Sequence, residues 1–111
     1  MEKLKDYKKK VEQIIKDRSD YKTSFGEIEV QTIFDRENDH YELVNLGWNG
    51  HKRIRGCLLH IDIKDGKIWI QHDGTEDGVA DDLVEMGVPK EDIVLAFHPP
   101  YKRKYTGYAE N

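Results

Sequence analysis

The 111-residue chain reads as an α+β fold: an N-terminal helix, an antiparallel meander of about four strands, then a helix and a further strand in a mixed sheet. Three observations predict it. Apolar residues recur at steps of three and four near the N-terminus, and two Asx-Gly dipeptides punctuate a β-rich middle. A stretch with helix stop signals then separates the last two strand-like runs. At this length one domain, 1–111, is the simplest reading, and the chain can bury a core without disulfides.

Residues 2–18 place Leu4, Tyr7, Val11, Ile14 and Ile15 on one stripe of an otherwise charged helix. The turn-rich "SDYKTSFG" (19–26) ends it. "EIEVQTIF" (27–34) and "HYELVNLGW" (40–48) are strand-like, with the polar run "DRENDH" as the hairpin loop between them. Asn49-Gly50 is a two-residue turn signal that leads into "HKRIRGCLLHIDIK". Asp65-Gly66 repeats the signal and leads into "KIWIQH", because glycine and Asx residues tolerate the positive φ that tight hairpins need.

These turns predict which side chains share a face. Ile63 is set opposite Ile68, Ile61 opposite Ile70 and Leu59 opposite His72, making a core face. On the reverse of that hairpin Asp62 meets Trp69 and His60 meets Gln71. Val44, Leu46 and Trp48 fall on the face of Cys57 and Leu59, running out toward Arg55 and Arg53. Tyr41, Leu43, Ile54 and Leu58 fall on the other, and Gly56 is a candidate bulge. Both faces then carry apolar groups, so both need covering by helices or a second subunit. Tyr41, Leu43, Ile54, Leu58 and Trp69 are the residues expected at a partner or homodimer interface.

Beyond His72, Asp73 or Thr75 is expected to cap a helix, with Glu76 three residues past Asp73. Val79, Leu83 and Met86 form its buried stripe, Gly87 suits a left-handed C′ position, and Pro89 prevents continuation. "DIVLAF" (92–97) is almost wholly apolar, as an interior strand is, and a strand–helix–strand crossover sets it parallel to 67–72.

Composition limits the chemistry. A net charge of −4, with 36% charged residues, speaks against wholesale nucleic-acid coating but leaves room for a local basic patch. No apolar stretch follows "MEKLKDYKKK", so neither signal peptide nor membrane span is expected, and a cytoplasmic location is. The single cysteine, Cys57, lies mid-strand on the expected core face, where a thiol is inert packing. Ser19 and Ser24 lack a nucleophile-elbow context, and no phosphate-binding glycine loop occurs.

Two groups of side chains invite a functional reading. His60, His72 and His98 with Asp62, Asp73 and Glu76 have the side-chain chemistry of a metal or acid/base cluster. Against it, no metal-binding motif is present, His60 and His72 are predicted on opposite faces, and His72 and Asp73 read as a hydrogen-bonded core histidine and a helix cap. No metal or other cofactor is expected, and a small hydrolase on His72, Asp73 and His98 stays as an alternative. The tail interleaves Tyr101, Lys102, Arg103, Lys104 and Tyr105. Together with Arg53 and Arg55 it suits phosphate and base contacts, and it equally suits rings packed on the domain or on a protein partner.

The runs "EVQTIFD", "HYELVNLGW" and "GCLLHIDIKDGKIWIQHDGTEDGVADDLVEMGVPKEDIVLAFHPPYKRKYTGYA" resemble the XisI family, named for a controlling factor of the excision of the fdxN DNA element in cyanobacteria. The segment from Gly56 to Ala109 is the most distinctive. The resemblance implies a non-enzymatic accessory role in site-specific recombination, beside a separate recombinase and a companion of the XisH type. It supplies no catalytic residues to carry over.

Overall fold

The computed structural model describes residues 2–20, 27–75 and 78–111. Its elements are α1 (Glu2–Ser19), β1 (Glu27–Asp35), β2 (His40–Asn49), β3 (Lys52–Lys64), β4 (Lys67–Asp73), α2 (Ala80–Glu85), a 3-10 turn (Lys90–Asp92), β5 (Ile93–Leu95) and α3 (Pro100–Arg103). The sheet runs in the order β1-β2-β3-β4-β5. The first four strands form the predicted antiparallel meander, and β5 lies parallel to β4. Most of the turn expected at 19–26, with Ser24 and Glu76, lies outside the described residues.

The apolar stripe of α1 docks as its spacing requires. Tyr7, Val11, Ile14 and Ile15 are buried against Tyr41, Leu43, Leu59, Ile61, Ile68 and Ile70 on what is here called the inner face of the sheet. Polar contacts fix the helix around that core. Arg36 makes a two-pronged contact with Glu12 at 3.0 and 2.9 Å, Lys3 meets Asp92 at 2.8 Å, and Arg18 bonds Asp82 at 2.6 Å and the Gly78 carbonyl at 3.0 Å. Tyr7 also donates its hydroxyl to Asp92.

The turns obey local chemistry, with one displacement. Asp65 and Gly66 both have positive φ, 53° and 76°, and close the β3–β4 hairpin with Ile63 opposite Ile68 as predicted. The β2–β3 turn is instead centred on Gly50-His51. Asn49 pairs with Lys52, and Gly50 takes φ 63° at the first central position, where a type II′ turn places glycine. Moving the centre by one residue moves the pairing by two, so it leaves the faces unchanged.

Two bulges do change the faces. Leu43 pairs with Leu59 but Val44 pairs with Cys57, so Leu58 is the extra residue, while Gly56 pairs regularly with Asn45. Tyr41 and Leu43 therefore lie on the inner face, 0% and 1% exposed, and Val44, Leu46, Trp48 and Cys57 lie on the outer one. This inverts the predicted assignment. On β4, His60 pairs with His72 and Ile61 with Ile70, leaving Gln71 as the extra residue. His72 consequently shares the outer face with His60, and Leu59 meets Asp73. The two irregularities are tied together, since the Leu58 carbonyl accepts the Gly74 N–H at 2.7 Å.

The C-terminal third departs from its predicted boundaries. α2 begins only at Ala80, because the Asp73 carboxylate turns inward on its own loop and accepts the N–H groups of Thr75 and Val79, each at 2.9 Å. Its end is as predicted. Gly87 has φ 100°, its N–H reaches the Val84 carbonyl, and the Val88 N–H reaches that of Leu83, the paired bonds of a Schellman close. β5 is a short edge strand rather than an interior one. Its apolar side chains stay buried because the tail lies along it, with Ala109 bridged to Val94 and donating to the Ile93 carbonyl at 2.9 Å.

Candidate functional site

Helices α1 and α2 cover the inner face. On the outer face the tail shields the β4–β5 side, where the Arg103 guanidinium lies 5.7 Å from the Trp69 ring centre and Val94 is fully buried. Over β1–β3 no described residue outside the sheet covers the outer face. There Ile33, Val44, Leu46, Trp48 and Cys57 form an apolar band, with Ile33 and Trp48 about half exposed. A shallow groove of about 530 Å³ runs between Ile33, Val44, Leu46, Arg55 and Cys57.

Charge is sorted across this band. Glu27 and Glu29 project from β1 on one side, and Arg53 and Arg55 from β3 on the other, in register with Trp48 and Leu46 between them. Arg53 lies 5.3 Å from the Trp48 ring centre. No ion pair among the described residues joins these acids to these bases, since β2 separates them. The exposed surface thus offers an apolar strip with an acidic and a basic margin. Burial, and then the Glu42 charge, push the Cys57 thiol up, which disfavours a reactive thiolate on it.

The expected interface residues divide. Trp69 is on the outer face but partly under the tail, and it donates its indole N–H to the Lys64 carbonyl. Leu58 packs against the core from its bulge, Ile54 is half-buried on the inner side opposite Gly47, and Tyr41 and Leu43 are core residues beneath α1. None of these four borders the open band.

The basic set divides as well. Arg53 lies nine residues along β3 from Asp62, which is level with Trp69, so Arg53 and Arg55 stand on the order of 20–30 Å from the Arg103 side of the sheet at the rise of an extended strand. Arg103 is occupied in holding the tail, donating to the carbonyls of His98 at 2.9 Å and Ala96 at 3.3 Å. Lys102 and Lys104 lie beside the exposed rings of Tyr101 and Tyr105.

His72, Asp73 and His98 do not converge. Among the described residues one histidine–carboxylate group has its donor atoms close together, and it is His40, His60 and Asp62, all within 4.8 Å. His40 stands directly opposite Asp62 across β2 and β3, and His60 lies two residues before Asp62 on the same face. His40 Nδ1 and His60 Nε2 each lie 2.8 Å from the same carboxylate oxygen, Oδ1. The hydrogen bond to Asp62, and then its charge, raise the His40 imidazole above its ordinary value. His40 was not among the candidates, because its pairing with Asp62 depends on the bulge at Leu58.

A family model described as XisI protein matches residues 1–110. Two solved structures from Anabaena variabilis ATCC 29413 are similar throughout. A XisI-like protein is 47% identical with a TM-score of 0.87, covering 93% of this chain and 94% of that one. The fdxN element excision controlling factor XisI is 35% identical with a TM-score of 0.86, covering 98% and 99%. Among curated proteins none matches.

Proposed function

This chain belongs to the XisI family, and from that premise we propose that it is a non-enzymatic accessory protein that binds a companion of the XisH type across its open sheet face. The observation that carries the reading is the uncovered band of Ile33, Val44, Leu46 and Trp48 between acidic and basic margins. Contiguous exposed apolar surface rimmed by charge is the usual mark of a protein contact. The sorted margins add orientation, because a partner with opposed charges is favoured in one alignment and repelled in the other.

The DNA reading has less support. Its basic residues lie on two separate parts of the sheet, and Arg103 is engaged in the fold. The hydrolase reading lacks a constellation, since His72, Asp73 and His98 stay apart. Co-expression with a XisH-type protein, followed by gel filtration with light scattering, tests the proposal. A co-eluting complex is the expected result. Recovery of a lone monomer, with no companion retained, overturns it.

A further inference from the structure

We infer that His40, His60 and Asp62 form a binding site for a divalent transition-metal ion of the zinc, nickel or copper class. The site is independent of the partner reading and rests on its own geometry. Two imidazoles and one carboxylate are donors that suit these ions, whereas magnesium and calcium call for oxygen alone.

The backbone builds the triangle. Antiparallel pairing sets His40 against Asp62, and the two-residue repeat of β3 sets His60 on the same face. All three donors lie within 4.8 Å of one another, with each imidazole nitrogen 2.8 Å from Asp62 Oδ1. Metal bonds of about 2.0–2.2 Å in tetrahedral array hold donors roughly 3.3 Å apart. The two imidazole–carboxylate gaps must widen by about half an ångström for that, and the His40 side chain, 54% exposed, is free to turn. Asp62 is only 16% exposed and its other oxygen takes a hydrogen bond from Gln71 Nε2 at 3.3 Å. That contact orients the carboxylate as an outer partner does in built metal sites.

Three donors leave one position of a four-coordinate ion for water or for a donor from another molecule. Each imidazole must present an unprotonated nitrogen to the ion, and affinity therefore falls as the solution is acidified. His51, in the β2–β3 turn, is outside the triangle and serves as the control.

Titration calorimetry of the tag-free chain with Zn²⁺ and with Ni²⁺ at pH 7.5 tests the inference. The result expected is one saturable site per chain, weakened at least tenfold in His60→Ala and in His40→Ala, unchanged in His51→Ala, and weakened at pH 5.5. His40→Ala removes an exposed side chain, so the test stands even if the other variant folds poorly. Absence of saturable binding by the folded chain, or equal affinity in all three variants, overturns it.

Discussion

The two faces of one sheet carry opposite chemistry. On the inner face Tyr41, Leu43, Leu59, Ile61, Ile68 and Ile70 are each at most 1% exposed, and α1 and α2 close over them. On the outer face Val44, Leu46 and Trp48 follow Tyr41 and Leu43 along β2 yet meet solvent. Both sets are apolar, so hydrophobicity does not distinguish core from surface here. What distinguishes them is which side of the pleat each residue reaches, and the Leu58 bulge decides that for the first half of the sheet.

The contrast breaks most visibly through truncation. Leu43→Ala empties a sealed position, and a loss of about 2–5 kcal/mol is expected in urea unfolding. Leu46→Ala, three residues away on the outer face, is expected to change stability by only about 0.5 kcal/mol. Similar losses at the two positions would mean that the faces are wrongly divided.

A smaller effect is expected where the strands themselves meet. A Cβ on Gly47 would lie 2.0 Å from the Glu27 carbonyl oxygen and 2.7 Å from Ile28 Cα, both backbone atoms of β1. Because backbone cannot rotate aside, Gly47→Ala is expected to cost about 1–3 kcal/mol. Its signature is faster amide exchange in β1 with β3 and β4 unaffected. Uniform loss of protection across the sheet would contradict that account.

The smallest effect lies in the His40–Asp62 contact. His40 is raised above 6.5 in the folded chain, so its favourable interaction is complete below that value and disappears as the pH climbs through the folded pKa. In Asp62→Asn the His40 titration seen by NMR should move down toward 6.5. An unmoved titration would remove Asp62 as its cause.

Local chemistry was legible in the sequence where it is self-contained. The α1 stripe, the Asp65-Gly66 turn and the Gly87 stop each follow from residues within a few positions of one another, and the parallel last strand follows from the handed crossover through the helix before it. Asp73 was read as a cap, and it does bind backbone N–H groups, though within a loop ahead of α2. The site was less legible because it depends on long-range pairing. The sequence groups Val44, Leu46 and Trp48 on one face, as the structure does, but assigns that face to the core. The bulge is held by Leu58 meeting Gly74 across the sheet, and the glycine that points to a bulge in the sequence, Gly56, lies two residues away and pairs regularly. The Leu58 bulge hid His40 from Asp62, and the irregularity at Gln71 moved His72 away from the core.

The most direct measurement is the affinity of a XisH-type companion for Trp48→Glu beside its unfolding midpoint. A charge at this half-exposed position on the open band should abolish the complex while leaving the midpoint close to that of the unaltered chain. Retained binding by a folded Trp48→Glu chain would contradict the claim that the outer face is where this protein meets its partner.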